Sequence, residues 1–172
     1  MKQAMIDTMK KPKYDHFDTP AYAVEPLLSY IKPEWVVWEP TDTTGKSQIT
    51  KVLRKHGCTV KSTSKTEYDF LHCTRSCPPW HDIIITNPPY SLKDEFIKEC
   101  LERGTMWALL MPLTTLEGVK RSNLFARLGD DFGVLVLDRR VEYTGGSVWF
   151  NTSWFCYGIL PRQLMFAELR KK

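Results

Sequence analysis

The chain has 172 residues, a net charge of +4, and ordinary apolar (42%) and charged (26%) fractions, a size that fills one hydrophobic core but not two comfortable ones. No apolar stretch approaches the roughly 20 residues needed to cross a bilayer, and the N-terminus shows no apolar signal segment, so a membrane role is not expected. The five cysteines are odd in number and irregularly spaced, which favours reduced thiols in a cytoplasm over a disulfide framework.

Residues 1–14 are polar, lysine-rich and aperiodic; they read as a flexible basic arm, with 15–172 as a single domain. Basic residues cluster at Lys10, Lys11 and Lys13, at Lys120 and Arg121, at Arg139 and Arg140, and at Arg170, Lys171 and Lys172. Such clusters suit a polyanionic partner as well as they suit a solvated surface. Thr19 and Pro20 read as the N-cap and first residue of a helix over 21–31. Its apolar residues Val24, Leu27, Leu28 and Ile31 fall at helical spacing, while Pro26 argues against a regular helix there, or for a kink.

Residues 35–40 predict a buried strand and 41–45 the turn behind it. A helix over 47–55 follows, with Ile49, Val52 and Leu53 on one face and Gly57 as its left-handed stop. Residues 58–62 predict the next strand, and 69–71 a connector into a loop rich in Pro, Cys and Trp. The run Ile83-Ile84-Ile85 lacks polar alternation, the mark of a strand covered on both faces. It ends at Asn87-Pro88-Pro89-Tyr90, and a helical segment over 91–103 follows.

A strand over 106–111, a helix over 117–128 closed by Gly129, and a strand over 133–137 complete the alternating part. Residues 141–143, 148–150 and 153–159 are aromatic-rich and separated by Gly145-Gly146 and Asn151-Thr152, which predicts antiparallel pairing at an edge of the sheet. The sum is an α/β, doubly wound, mostly parallel sheet of Rossmann-like type. Ligands in such sheets bind where strands finish, which places Asn87 and Tyr90 at the expected site.

Proline fixes its own φ and holds the preceding residue extended. The Asn87 amide oxygen and the Pro88 carbonyl are thereby held close, a pair of acceptors for one exocyclic amine. Two acceptors draw an amine conjugated to an aromatic ring toward tetrahedral geometry and place it for in-line attack. Tyr90 offers a ring on which an extruded base stacks, worth about 1–3 kcal/mol. The competing reading is a strand that simply ends in a proline turn.

With Phe17-Asp18-Thr19-Pro20, Trp38-Glu39-Pro40, Asn87 to Tyr90 and Ser153-Trp154-Phe155, the chain resembles the S-adenosylmethionine-dependent amino-methyltransferases. The likeness is greatest to the short adenine-N6 DNA methyltransferases common in bacteriophages, and it spans roughly 17–160. It implies a Rossmann-like methyltransferase fold, S-adenosylmethionine as cofactor, DNA as partner, and action in the cytoplasm of a bacterial host. It further implies Asn87, Pro88, Pro89 and Tyr90 as the catalytic group. Cofactor contacts fall to Phe17, Asp18, Thr19, Pro20, Glu39, Pro40, Asp42, Gly45, Asp69, Phe70 and Asn87. Base and phosphate contacts fall to Tyr90, Trp149, Phe150, Phe155, Lys120, Arg121, Arg139 and Arg140, although the arginine pair could equally serve Asp130, Asp131 or Glu142.

Two positions depart from the family pattern. Thr43 stands where the first glycine of the loop is expected, and Ser62-Thr63-Ser64 where an acidic residue would receive the ribose hydroxyls. These departures leave a second reading open, a degenerate methyltransferase fold that binds nucleic acid or a host protein without catalysis. A third, methylation of RNA or of a protein glutamine, shares the same amine clamp. The lack of a large recognition insert points to low sequence selectivity, or to recognition supplied by a second copy or a partner. Gly45-Lys46-Ser47 resembles the tail of a P-loop, but Pro40 replaces its leading glycine; an anion at the helix start is the residual reading. His72, Cys73, Cys77 and His81 are a weak match to a zinc site, and no metal is expected.

Overall fold

The computed structural model describes residues 17–73, 80–143 and 149–170. The basic arm predicted at 1–14, the glycines Gly145 and Gly146, and Cys77 lie outside them. The strands are β1 (Val36–Glu39), β2 (Thr59–Ser62), β3 (Ile83–Thr86), β4 (Met106–Pro112), β5 (Phe132–Leu137), β6 (Thr152–Tyr157) and β7 (Leu164–Ala167). They form one seven-stranded sheet in the order β2-β1-β3-β4-β6-β5-β7. The first four strands are mutually parallel. β6 runs antiparallel to both β4 and β5, and β7 adds parallel to β5.

The isoleucine run shows why the sheet is covered on both faces. Successive side chains of a strand point to opposite sides. Ile83 and Ile85 accordingly join a core with Leu27, Val37, Leu53, Leu110 and Trp154, while Ile84 joins one with Trp38, Phe96, Trp107 and Phe155. The helices α1 (Ala21–Val24) and α2 (Gln48–His56) supply Ala23, Val24, Ile49 and Leu53 to the first core. The helices α3 (Lys93–Arg103) and α4 (Val119–Arg127) supply Phe96, Ile97, Cys100 and Phe125 to the second. Burying each of the larger side chains stabilises the fold by about 1.5–3 kcal/mol.

Local signals are met with instructive shifts. The helix predicted over 21–31 is α-helical only to Val24 and continues as a 3-10 helix over Glu25–Tyr30, with Pro26 in its first turn. Thr19 does not cap it: the N-cap is Pro20, with no side-chain cap, because the Thr19 hydroxyl is used elsewhere. α2 ends at Gly57 in the left-handed conformation, as predicted.

In the C-terminal third, residues 152–157 pair antiparallel as β6, placed between β4 and β5, while β7 at the edge pairs parallel with β5. β7 is not among the predicted elements, since a run of four residues carries too little periodicity to register. Residues 149–150 form a bend rather than a strand. Among the described residues no helix is long and apolar enough to cross a membrane.

Gly133 in β5 marks a close approach. A Cβ there would sit 2.8 Å from the Arg162 carbonyl oxygen and 3.1 Å from Leu160 Cδ1, so the backbone leading into β7 fits only against a bare glycine. Gly133→Ala is expected to destabilise the protein by about 1–3 kcal/mol through forced displacement of that backbone, read as a lowered urea midpoint; an unchanged midpoint would contradict this account of the β5–β7 contact.

Candidate functional site

Asn87 follows the end of β3 directly. Its Nδ2 donates to the Phe17 carbonyl oxygen at 3.1 Å and to Thr19 Oγ1 at 3.0 Å. A backbone carbonyl can only accept, so this contact identifies the amide nitrogen and fixes the orientation of the group. The opposite atom, Oδ1, is buried and receives no hydrogen bond. A buried acceptor without a donor costs about 1–3 kcal/mol, a cost that a ligand N–H would remove. The segment that prevents Thr19 from capping α1 is the segment that orients this amide.

Aromatic rings gather beside it. Phe17 lies 5.5 Å from the Tyr90 ring and 5.2 Å from that of Tyr143. Phe150 meets Tyr90 edge-on at 5.5 Å, and Trp149 meets Phe150 in the same manner at 5.5 Å. The Tyr90 and Tyr143 hydroxyls are 3.0 Å apart, and Tyr143 donates to Thr152 Oγ1 at 2.9 Å. Burial pushes the Tyr143 hydroxyl up to about 12 against the lowering effect of its hydrogen bonds to Thr152 and Tyr90, so it remains protonated. Trp149 is 38% exposed at the outer end of the array.

The loop after β1 is organised by one carboxylate. Asp42 accepts five hydrogen bonds: Oδ1 from Thr44 N, Thr44 Oγ1 and Lys46 N, and Oδ2 from Ser47 N and Thr50 Oγ1. Burial alone would raise its pKa, but the bonds from Thr50, Ser47 and Thr44 outweigh this and hold it at about 2. Ser47 caps α2 by accepting from Thr50 N. The anion site suggested by Lys46 and Ser47 is thus filled by the protein's own carboxylate. Gly45 alone in the loop takes a positive φ, +65°, a conformation that glycine adopts without strain. Thr43 is exposed with an ordinary φ, so its β-branched side chain puts no backbone strain into the loop.

Glu39 is almost fully buried. Its Oε1 accepts from Thr41 N at 2.9 Å, Thr41 Oγ1 at 2.9 Å and Thr86 Oγ1 at 2.6 Å, and no described residue donates to Oε2. Burial raises its pKa to about 7, with the hydrogen bonds from Thr86 and Thr41 opposing. Glu39, Asn87, residues 17–20 and the loop wall enclose a cavity of about 350 Å³, within the range of roughly 300–1,000 Å³ typical of small-molecule sites. A second cavity of about 500 Å³ shares Asp42, Thr43 and Thr44 and extends to Gly45, Ser62, Thr63, Glu67 and Tyr68. Glu67 places a carboxylate at this second cavity. It sits in the turn beyond β2, where its Oε2 accepts from Ser64 N at 3.3 Å, and only the turn geometry brings it back.

Several predicted contacts lie elsewhere. Phe155 is fully buried in β6, 6.0 Å from Phe125 and 6.3 Å from Phe132; strand alternation turns it into the core, away from any base. Phe70 is likewise core, stacked 4.7 Å from Phe96 and 5.1 Å from Trp38. Asp69 serves its own turn through Leu71 N and His72 Nδ1. Pro40 is buried and, with Asp69 and Phe70, lines neither cavity. Asp42 lines both, but its carboxylate is committed to the loop.

Arg121 is spent on Asp94 and on the Thr115 and Glu117 carbonyls. Arg139 pairs with Asp138, a partner not foreseen. Lys120 and Arg140 are exposed. Burial leaves His81 neutral, its pKa lowered to about 4, and its ring packs on Trp38 at 5.1 Å. Arg103 Nη2 donates to Cys73 Sγ. Among the described residues no cluster of three or more His, Cys, Asp or Glu could hold a metal.

No protein-family model matches the sequence, and no curated protein does. Solved structures match the fold. A protein assigned as a class I S-adenosylmethionine-dependent methyltransferase from Listeria monocytogenes aligns over 99% of this chain and 71% of its own, with 12% identity and a TM-score of 0.58. The modification protein of the type I restriction enzyme EcoKI aligns over 99% of this chain and 51% of its own, with 15% identity and a TM-score of 0.53. A candidate RNA methyltransferase from Pyrococcus horikoshii aligns over 92% of this chain and 98% of its own, with 16% identity and a TM-score of 0.51. The chain spans about half the length, 47–51%, of the type I restriction-modification subunits it matches. The fold is the Rossmann-like methyltransferase fold.

Replacing Asp42 by Ala strips the loop and the start of α2 of their common acceptor and is expected to destabilise the protein by about 2–3 kcal/mol. The sign with pH follows from the depressed pKa. The stabilisation is present above the ordinary carboxylate value of 3.8 and is lost as pH falls toward about 2. Urea unfolding at neutral and acidic pH measures both effects; equal stability of the variant at neutral pH would refute the assignment.

Proposed function

We propose that the protein transfers the methyl group of S-adenosylmethionine to the exocyclic N6 amine of adenine in DNA. The observation that carries this reading is the Asn87 amide, held by its nitrogen and presenting a buried oxygen without a donor at the wall of a cofactor-sized cavity. The EcoKI modification protein, one of the fold neighbours, is an adenine-N6 DNA methyltransferase.

The residues present fit the cofactor. Glu39 Oε2, unpartnered and open to the cavity on an otherwise buried side chain, suits the ammonium of its methionine end, with Phe17 to Pro20 alongside. Glu67 and Tyr68 in the second cavity suit the adenosine end. The bound sulfonium supplies an electrophilic methyl group. Asn87 Oδ1 and the Pro88 carbonyl receive the two amine hydrogens and turn the nitrogen lone pair toward that methyl. Tyr90, its hydroxyl set against Tyr143, gives the extruded base a face to stack on. The product amine bears a positive charge after transfer and releases its proton to the amide oxygen or to water, so no dedicated base is required.

Thr43 favours a second reading, a methyltransferase fold that binds without catalysis, because its side chain stands where bare backbone would pass the cofactor. One experiment separates the possibilities. The protein is incubated with methyl-labelled S-adenosylmethionine and, separately, duplex DNA, single-stranded DNA, RNA or a protein mixture. Label in N6-methyladenine from DNA is the expected result. Label in RNA or in protein glutamine would move the substrate, and no label in any acceptor would refute the enzymatic reading.

A further inference from the structure

β7 closes the sheet with a four-residue edge strand. Edge strands are ordinarily blunted by shortness, charge, proline, bulges or a covering segment; β7 is short, but its Leu-Met-Phe-Ala carries neither charge nor proline. Leu164 is 55% exposed and Phe166 71%, while Met165 and Ala167 pack toward the core. The exposed face continues at either end through Arg162 and Glu168. Arg162 has no partner among the described residues, and Glu168 has a loose ion pair with Arg170 at 3.8 Å, of a kind worth little on a surface.

Backbone directions decide which residues face outward. Val134 N donates to the Gln163 carbonyl and Asp138 N to the Ala167 carbonyl. Alternate residues of a parallel strand bond to the same neighbour, so 163, 165 and 167 face β5. Leu164 and Phe166 therefore direct their N–H and C=O groups to the open edge. An antiparallel partner strand must meet these with outward-facing residues of its own.

We propose that β7 is the surface through which two copies of this chain pair, edge to edge and antiparallel, with Met165 at the twofold axis. In that register Leu164 of each copy lies opposite Phe166 of the other and exchanges both backbone hydrogen bonds with it. Arg162 of each copy lies opposite Glu168 of the other, so both ends of the interface are charge-complementary. Sliding the strands by two residues toward a Phe166–Phe166 pair would set Arg162 opposite Arg170. The opposite slide, to a Leu164–Leu164 pair, would set Arg162 opposite Phe166. The edge is thus self-complementary in one register, as an isologous interface requires. The pairing rests on β7 alone and is independent of the proposed chemistry.

Sedimentation equilibrium of the full chain tests it. The unsubstituted protein is expected to dimerise with a micromolar dissociation constant. R162E and E168R each set like charges opposite one another and are expected to weaken the dimer by about tenfold or more. R162E/E168R exchanges the charges and should restore it, a recovery that nonspecific apolar association would not show. A protein monomeric at all concentrations, or a double variant no tighter than the single ones, would overturn the proposal.

Discussion

The geometry of the site depends on a hydrogen-bonded pair that joins distant parts of the chain: the Asn87 amide nitrogen held by the Phe17 carbonyl and the Thr19 hydroxyl. An amide presents either of its ends with almost equal steric ease, and only its partners decide which. Here an acceptor-only partner decides, and the carbonyl end is left without a donor. The same short segment carries the Phe17 ring to Tyr90 and Tyr143 and lines the cavity on its outer side. It is anchored in turn. Tyr22 Oη accepts from Glu142 N at 2.8 Å, and Trp154 Nε1 donates to the Ala23 carbonyl at 2.8 Å. The oriented amide, the aromatic rings and the cavity wall are therefore parts of one assembly.

The loop after β1 solves a familiar problem by an unfamiliar route. A glycine-rich loop lets backbone approach a ligand because it carries no side chains. This loop instead turns its backbone N–H groups onto an internal carboxylate, Asp42, and keeps a single left-handed glycine at Gly45. Its shape is fixed before any ligand arrives. Glu39 stands apart, with one oxygen saturated and the other open and with a pKa pushed up to about 7 by burial. A buried carboxylate of that kind is completed by a cation.

Much of this was legible in the residues. The isoleucine run announced a strand covered on both faces, and Asn87-Pro88-Pro89-Tyr90 marked where that strand stops at the cavity wall, because proline geometry acts locally. Phe155 misled, since its neighbours Ser153 and Trp154 suggest a functional segment and only the strand's register shows that its ring points into the core. Asp42 misled for a different reason: position implied a ligand contact, while its five internal bonds depend on how the loop closes. Glu67, Tyr143 and Thr152 went unread because turns and strand pairing far along the chain bring them to the cavities and to Tyr90. β7 was too short to leave a pattern, yet its placement beside Gly133 sets the edge of the sheet.

The central claim is that Asn87 acts on the amine rather than on the cofactor. Its most direct test is the single-turnover rate of methyl transfer by Asn87→Ala with S-adenosylmethionine at saturation. The account predicts a rate lowered by about a hundredfold or more, the scale of losing a preorganised polar contact at the reacting centre. A rate within a few fold of the unsubstituted protein would contradict it.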